Sequence, residues 1–228
     1  MKMTPYDYSG FRLSRLTEPR FSHLLLLLGW VGYFLLYYLT ENFIPPERCH
    51  VIHCALDDLI PFNEYFLLAY CFWYALVFGS LLFFLIFDVD SFRALQTYII
   101  ITQAVAMAVY IIWPSRQDLR PETFARDNIL TRLMAFIYSF DTSTGVCPSL
   151  HVGYSLGIAS VWCKKKDAPR GLKAFVVAAV ALICASVCFV KQHSAVDVAA
   201  ALPLCLLAEL LVYWRSWWKP RLTGSRAQ

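Results

Sequence analysis

Two histidines and one aspartate are the residues of this sequence best suited to chemistry. His193 and Asp197 are four positions apart at the start of an apolar run, and His151 lies near the start of another. On a helix, residues four apart lie on the same face. A carboxylate there can accept a hydrogen bond from one imidazole nitrogen and leave the other nitrogen free to attack. We therefore predict that His193, His151 and Asp197 are catalytic.

Three cations lie in the polar segments that adjoin these histidines, namely Arg116, Arg120 and Lys191. Cations can neutralise phosphoryl oxygens while one imidazole attacks phosphorus and the other protonates the leaving oxygen. The set therefore favours phosphoryl transfer, with the three cations binding phosphate. A divalent metal held by the histidines and the aspartate is the main rival. The nearby positive charge opposes a bound cation, so we predict that no metal is present.

The composition predicts the environment that must hold these residues. Of the 228 residues, 59% are hydrophobic and 16% are charged. Soluble domains have about a quarter charged residues. Too little polar surface is available to cover a water-exposed globule, so we predict an integral membrane protein with one all-α domain.

Six apolar runs are candidates for membrane-spanning helices, each of which needs about 20 apolar residues. They are residues 22–39, 65–87, 94–113, 149–163, 174–190 and 194–214, of which the fourth is the shortest. Within residues 124–140, apolar side chains at helical spacing predict an amphipathic helix lying in the membrane interface before the fourth span. The predicted organisation is a cytoplasmic segment (1–21), a six-span catalytic bundle (22–214) and a cytoplasmic tail (215–228).

The distribution of lysine and arginine predicts the orientation. If the N-terminus is inside, the inner segments carry most of the 20 basic residues, including the run Lys164–Lys166. Both termini are then cytoplasmic, and the histidines face the extracytoplasmic side. Anionic lipid accounts for the basic inner face, so nucleic acid is not an expected partner. The oligomeric state is left open.

The motifs around the histidines resemble those of the type 2 phosphatidic acid phosphatase superfamily of membrane lipid phosphatases and phosphotransferases. That family carries K-x6-R-P, P-S-G-H and S-R-x5-H-x3-D on a six-span helical core. Here Arg120-Pro121 matches the end of the first motif, and residues 148–151, P-S-L-H, match the second. Ser186, with His193 and Asp197, matches the third.

The resemblance implies a role for each matched residue. His193 would be the nucleophile that forms a phospho-histidine, Asp197 would orient it, and His151 would be the general acid. Ser149 and Arg120 would hold phosphoryl oxygens, and no metal or other cofactor would be needed.

The sequence departs from the family pattern at three positions. The lysine of the first motif would fall at Trp113, and the arginine of the third at Val187. Leu150 replaces the motif glycine. Arg116 and Lys191 are therefore predicted as phosphate ligands from their position and charge alone.

Three functions stay open at this stage. The first is hydrolysis of a lipid phosphate or lipid diphosphate at the extracytoplasmic face. The second is head-group transfer of the inositol-phosphoceramide synthase or sphingomyelin synthase type, which P-S-L-H also resembles. The third is a small transporter or receptor that uses the histidines and the aspartate as a proton relay. The expected partners are a lipid phosphate substrate and the surrounding membrane lipids.

Three further features of the polar segments allow simple predictions. Asp57 and Asp58 are expected to be solvated. Asp141 is a candidate for ordering the loop before His151. Cys49 and Cys54 could form a local disulfide on the oxidising side of the membrane.

Overall fold

The computed structural model of the protein describes residues 4–215. Residues 1–3 of the predicted N-terminal segment and residues 216–228 of the predicted tail lie outside the described residues.

Helices make up most of the described chain, which confirms the all-α prediction. In chain order the α-helices are α1 (Leu28–Phe43), α2 (Ala55–Leu59), α3 (Leu67–Phe87), α4 (Val89–Ile112), α5 (Ile129–Phe140), α6 (Leu150–Lys164), α7 (Arg170–Phe189) and α8 (Ala195–Arg215). Short 3-10 helices cover Leu13–Arg15, Ser22–Leu27, Pro46–Arg48 and Glu64–Phe66. Two strands of two residues each, β1 (His50–Val51) and β2 (Ser115–Arg116), pair in parallel. The sequence does not indicate the pairing of these two strands.

Five helical segments of the described chain are long and apolar enough to cross a membrane. They are Ser22–Phe43, Glu64–Phe87, Val89–Ile112, Arg170–Phe189 and Ala195–Trp214. The protein is therefore a multi-pass membrane protein by the length and composition of its helices. The predicted fourth span corresponds to α6, whose 15 residues extend only about 22 Å at 1.5 Å per residue. That is shorter than a hydrocarbon layer of about 30 Å.

Helix α6 packs against four other helices, α3, α4, α7 and α8. Its contact with α4 is close because Gly157 has no side chain, and a Cβ there would lie 2.5 Å from the Tyr98 ring. Residues from all five of these helices form the largest cluster of buried apolar side chains. The helix that begins beside His151 is therefore held rigidly by its neighbours.

Helix α5 is the predicted amphipathic helix, and it begins at Ile129 because Asn128 caps it. The Asn128 side chain accepts hydrogen bonds from the backbone N–H groups of Leu130 and Thr131. Met134 is buried on one face, whereas Phe136 is exposed on another. The helix ends at Phe140, and the carboxyl group of Asp141, which follows it, lies at the end of the bundle that carries the predicted catalytic residues.

Candidate active site

The three predicted catalytic side chains lie together. Nδ1 of His193 is 3.3 Å from Oδ2 of Asp197, within the four-residue spacing that the sequence analysis used. Nε2 of His193 is 3.4 Å from Nδ1 of His151. A carboxylate at Nδ1 favours the tautomer that carries its proton on that nitrogen, which leaves the lone pair on Nε2. The nitrogen with the lone pair is therefore the one that points toward the second histidine.

One backbone contact brings the beginnings of α6 and α8 together, and a side-chain contact from α4 supports the start of α6. The N–H group of Ser149 donates to the backbone carbonyl of Asp197 at 3.1 Å. The Tyr110 hydroxyl donates to the carbonyl of Pro148 at 2.6 Å, which ties the start of α6 to α4. His151 and His193 are close because these helix ends are joined directly.

The imidazole of His151 lies among aromatic rings of α3. Its ring centroid is 4.8 Å from that of Tyr70 and 4.3 Å from that of Trp73. The indole N–H of Trp73 also donates to the backbone carbonyl of His151 at 3.2 Å. Nε2 of His151 is buried and has no hydrogen-bond partner within residues 4–215. A substrate atom that reaches this nitrogen would satisfy it.

Asp57 supports the start of α8, a role that the sequence analysis did not predict. Its carboxylate accepts hydrogen bonds from the Ser194 hydroxyl at 2.6 Å and from the N–H of Ala195 at 2.8 Å. It also accepts one from the N–H of Cys54 at 2.9 Å. Burial raises the pKa of Asp57, but these hydrogen bonds outweigh that effect and hold the pKa below 3.8. The expectation that Asp57 is solvated is wrong, because only 2% of the residue is exposed.

Arg120 is placed beside the catalytic residues, but its guanidinium already has partners. It donates to the backbone carbonyls of Asp141 at 2.7 Å and Thr142 at 2.8 Å, and to Oε1 of Gln192 at 2.6 Å. The guanidinium also lies over the Tyr138 ring. Its buried Nε has no partner among the described residues. Arg120 therefore fixes the loop after α5 and retains one donor.

Lys191 and Arg116 are directed at other groups. The ammonium of Lys191 donates to the backbone carbonyls of Asp57, at 2.8 Å, and Ile60. Arg116 lies in β2 and forms an ion pair with Asp118 at 3.2 Å. Lys191 therefore ties its own loop to the segment of Asp57 and Ile60, and Arg116 keeps a buried Nε without a partner among the described residues. Neither cation lines the cavity in front of the histidines.

Ser149 is fully buried and caps α6, because its hydroxyl accepts a hydrogen bond from the N–H of Val152 at 3.5 Å. Its hydroxyl therefore helps to orient the helix that carries His151.

Gln192 and Asp141 belong to the site, although Gln192 was not predicted. The amide of Gln192 donates to Oδ2 of Asp141 at 2.8 Å while its oxygen accepts from Arg120. The Tyr37 hydroxyl donates to the other carboxyl oxygen of Asp141 at 3.4 Å. Burial raises the pKa of Asp141 above 3.8, although Arg120 and His193 act in the opposite direction. The adjacency of Gln192 to His193 in the sequence was the signal that could have indicated it.

A cavity of about 700 Å³ opens in front of the two histidines. One end of it is lined by His151, His193, Gln192 and Asp141, and the rest mainly by aromatic and aliphatic side chains of α1 and α3. No lysine or arginine lines it along the described part of the chain.

No group of three or more His, Cys, Asp or Glu side chains within residues 4–215 is arranged to hold a metal ion. The eight cysteines, which include Cys49 and Cys54, are free thiols.

Comparison of the chain with protein-family models, with curated proteins and with solved structures finds no match. The geometry itself can do acid–base and nucleophilic chemistry. The imidazole of His193 has a carboxylate on one nitrogen and a second imidazole on the other, at the end of a largely apolar cavity.

Proposed function

We propose that this protein is a membrane enzyme that removes a phosphate group from a lipid phosphate or lipid diphosphate through a phospho-histidine intermediate. One observation carries the proposal: His193 lies between Asp197 and His151 at the polar end of a largely apolar cavity. An apolar cavity suits a lipid, and a histidine with an oriented lone pair suits attack on phosphorus. The resemblance to the type 2 phosphatidic acid phosphatase superfamily supports the same chemistry.

The proposed reaction has two steps. In the first, Nε2 of His193 attacks phosphorus, the bond between phosphorus and the lipid oxygen breaks, and protonated His151 gives its proton to that oxygen. In the second, His151 takes a proton from water, whose oxygen attacks phosphorus and releases phosphate from His193. Asp197 holds the proton on Nδ1 of His193 and stabilises the positive charge on the ring during both steps.

Phosphate recognition is proposed for Arg120, whereas Ser149, Arg116 and Lys191 do not line the cavity and would contribute only through the helix start and the loops that contain them. The Nε of Arg120 is buried without a partner among the described residues, and it would become a donor to a phosphoryl oxygen if the loop after α5 moved. The other N–H groups of Arg120 donate to backbone carbonyls of the loop after α5. They could bind the substrate if one of these hydrogen bonds broke. Substrate binding is therefore proposed to move the segment around Asp141.

The proposed placement in the membrane has α6 as a sixth, short span and both termini in the cytoplasm. It puts the histidines at the extracytoplasmic surface, as the distribution of lysine and arginine predicts. Helix α5 would then lie in the outer interface.

Head-group transfer is the second candidate, and Asp141 favours it. A carboxyl group that lines the cavity near the phosphorylated histidine can hydrogen-bond the hydroxyl groups of an alcohol acceptor. In that reaction an alcohol takes the place of water in the second step.

The direct test is a panel of lipid phosphates and diphosphates incubated with the purified protein, with phosphate release and transfer to an added alcohol measured separately. The His193→Ala protein is the blank. Asp197→Asn keeps the shape of the side chain, and it should lower turnover by about 10²–10⁴-fold because the tautomer of His193 is no longer fixed. Product on the alcohol without released phosphate would favour transfer. Unchanged turnover in His193→Ala would refute both candidates.

A further inference from the structure

We infer that the cavity encloses one hydrocarbon chain of the lipid substrate along its length, so that the protein selects lipids by the length of a single chain. This inference rests on the proposed function, because it takes the histidine pair as the place where the phosphate is held.

The cavity is long in the direction of helix α3. Its lining on α3 runs from Tyr70, beside His151, to Leu85 near the other end of the helix. Fifteen residues of helix correspond to about 22 Å at 1.5 Å per residue. Half of a hydrocarbon layer of about 30 Å is about 15 Å. A chain that fills the cavity from the histidines would therefore pass the middle of the bilayer.

The chemistry of the lining changes along this length. Asp141, Gln192 and the two histidines line the outer end, and Asp141 is the only carboxylate of the described lining. Thr142 and Thr144 also line the cavity, and most of the remainder consists of aromatic and aliphatic side chains, such as Leu27, Trp30, Phe34, Val77, Leu81 and Phe92. This arrangement is complementary to a lipid with one polar end and an extended apolar chain.

The volume of the cavity sets the number of chains. About 700 Å³ corresponds to roughly two dozen groups of the size of a water molecule or a methylene, at about 30 Å³ each. One long chain fits in that volume. A second chain would remain in the surrounding membrane.

The walls of the cavity show where a chain can enter and where it must stop. Phe34 of α1 and Phe78 of α3 line it and are 59% and 77% exposed, so they border an opening toward the membrane. Phe92 also lines it but is fully buried. Behind Phe92 lies the ring of His23, with 6.0 Å between centroids. The carbonyl of Leu85 is held by the Tyr8 hydroxyl at 2.8 Å. The inner end is therefore closed by packed side chains.

The test measures the binding of single-chain alkyl phosphonates of increasing chain length to the full-length protein in neutral detergent, by titration calorimetry. A phosphonate has no phosphorus–oxygen bond to the chain, so binding is measured without turnover. A detergent micelle already shields the chain from water, so the profile reports how well the chain fits the cavity. We expect affinity to rise to an optimum length and then to decline.

Two substitutions should move this optimum in opposite directions. Val77→Phe places a ring about halfway along the cavity, and it should lower the affinity for the longest chain about tenfold by overfilling the cavity. Phe92→Ala should move the optimum to longer chains. Val177→Phe adds the same ring on the exposed face of α7, and Phe84→Ala removes an equally buried ring outside the cavity. Both of these variants should keep the wild-type profile.

Alkyl alcohols of the same chain lengths have no phosphonate group. Comparing their binding with that of the phosphonates separates the chain site from the phosphate site of the proposed function. An optimum that is identical in the wild type, Val77→Phe and Phe92→Ala would overturn the chain site, even if phosphonates bind more tightly than alcohols. If phosphonates bind no more tightly than alcohols while the optimum moves as expected, the chain site stands and the phosphate site of the proposed function fails.

Discussion

The two ring nitrogens of His193 have different partners, and this difference defines the chemistry. Nδ1 faces the fully buried carboxyl group of Asp197, and Nε2 faces His151. In the proposed reaction, removal of Asp197 would leave the nucleophile without an orienting group. Removal of His151 would leave the leaving oxygen without a proton source. The two contacts are longer than ordinary hydrogen bonds, and we expect them to tighten when a substrate brings charge into the site.

Asp141 provides a prediction for the dependence of stability on pH. Because burial raises its pKa, the folded state holds the proton more tightly than the unfolded chain does. The stability that this proton contributes is fully present below the ordinary pKa of 3.8 and is lost as the pH rises through the raised value. Asp141→Asn should remove this loss.

The measurement is thermal unfolding in detergent at a series of pH values. The difference in melting temperature between Asp141→Asn and the wild type should grow as the pH rises through that window. Glu122→Gln changes an exposed acid of the outer loop and should follow the wild type. A constant difference between Asp141→Asn and the wild type would mean that Asp141 does not titrate in this window.

At the scale of residues, spacing in the sequence was sufficient for some groups and insufficient for others. His193 and Asp197 could be paired because they are four residues apart, although His193 itself precedes α8, which begins at Ala195. The partners of Arg120 and Lys191 could not be predicted, because they are backbone carbonyls from distant segments. The distribution of lysine and arginine predicts on which side of the membrane a segment lies, but it does not indicate which oxygen each cation binds.

At the scale of elements, the start of α8 depends on a loop more than a hundred residues away. Asp57 accepts hydrogen bonds from Ser194 and Ala195, the residues that directly follow His193. A helix N-terminus has unpaired N–H groups, and a carboxylate that accepts from them stabilises the helix. His193, the proposed nucleophile, is therefore positioned partly by the loop between α1 and α3.

Asp57→Asn should lower both stability and turnover. We expect the free energy of unfolding to fall by about 1–2 kcal/mol, as for the loss of a helix cap. Turnover should fall about ten- to a hundredfold, because small displacements of reacting groups are costly. Thermal unfolding and the phosphate-release assay measure the two effects.

The neighbouring residue is the matched control. Asp58 forms an exposed ion pair with His53 at 2.8 Å, and such pairs contribute little. Asp58→Asn should therefore behave as the wild type. Equal effects of Asp57→Asn and Asp58→Asn would show that the contacts with α8 are not what positions His193.

Apolar runs in the sequence predicted the long helices because burial in lipid requires continuous apolar side chains. Their ends depend on local contacts that hydropathy does not report. Asp88, for example, accepts a hydrogen bond from the N–H of Ser91 and starts α4 several residues before the predicted 94. The pairing of β1 with β2 involves two residues in each strand, which is too short for an alternating pattern to indicate.

For the molecule as a whole, the proposed function requires that the end of the bundle with the histidines faces away from the cytoplasm. Cys163 is exposed at the end of α6, next to the basic run that begins at Lys164. Glu122 is exposed in the loop between α4 and α5, at the same end as the histidines. The two positions should lie on opposite sides of the membrane.

Labelling with a membrane-impermeant maleimide tests this orientation in intact cells or sealed vesicles of known sidedness. Cys163 should react only after permeabilisation. Glu122→Cys in a Cys163→Ser background should react before it. The reverse order of reaction would place the histidines on the cytoplasmic side and refute the proposed topology.

The proposed function requires that a lipid substrate phosphorylates His193. The most direct measurement is to mix the protein with a lipid carrying radioactive phosphate, quench in alkali and locate the label by peptide mapping. We expect an alkali-stable, acid-labile label on His193 that is missing in His193→Ala. Label on another residue, or turnover of the lipid in His193→Ala at the wild-type rate, would contradict it.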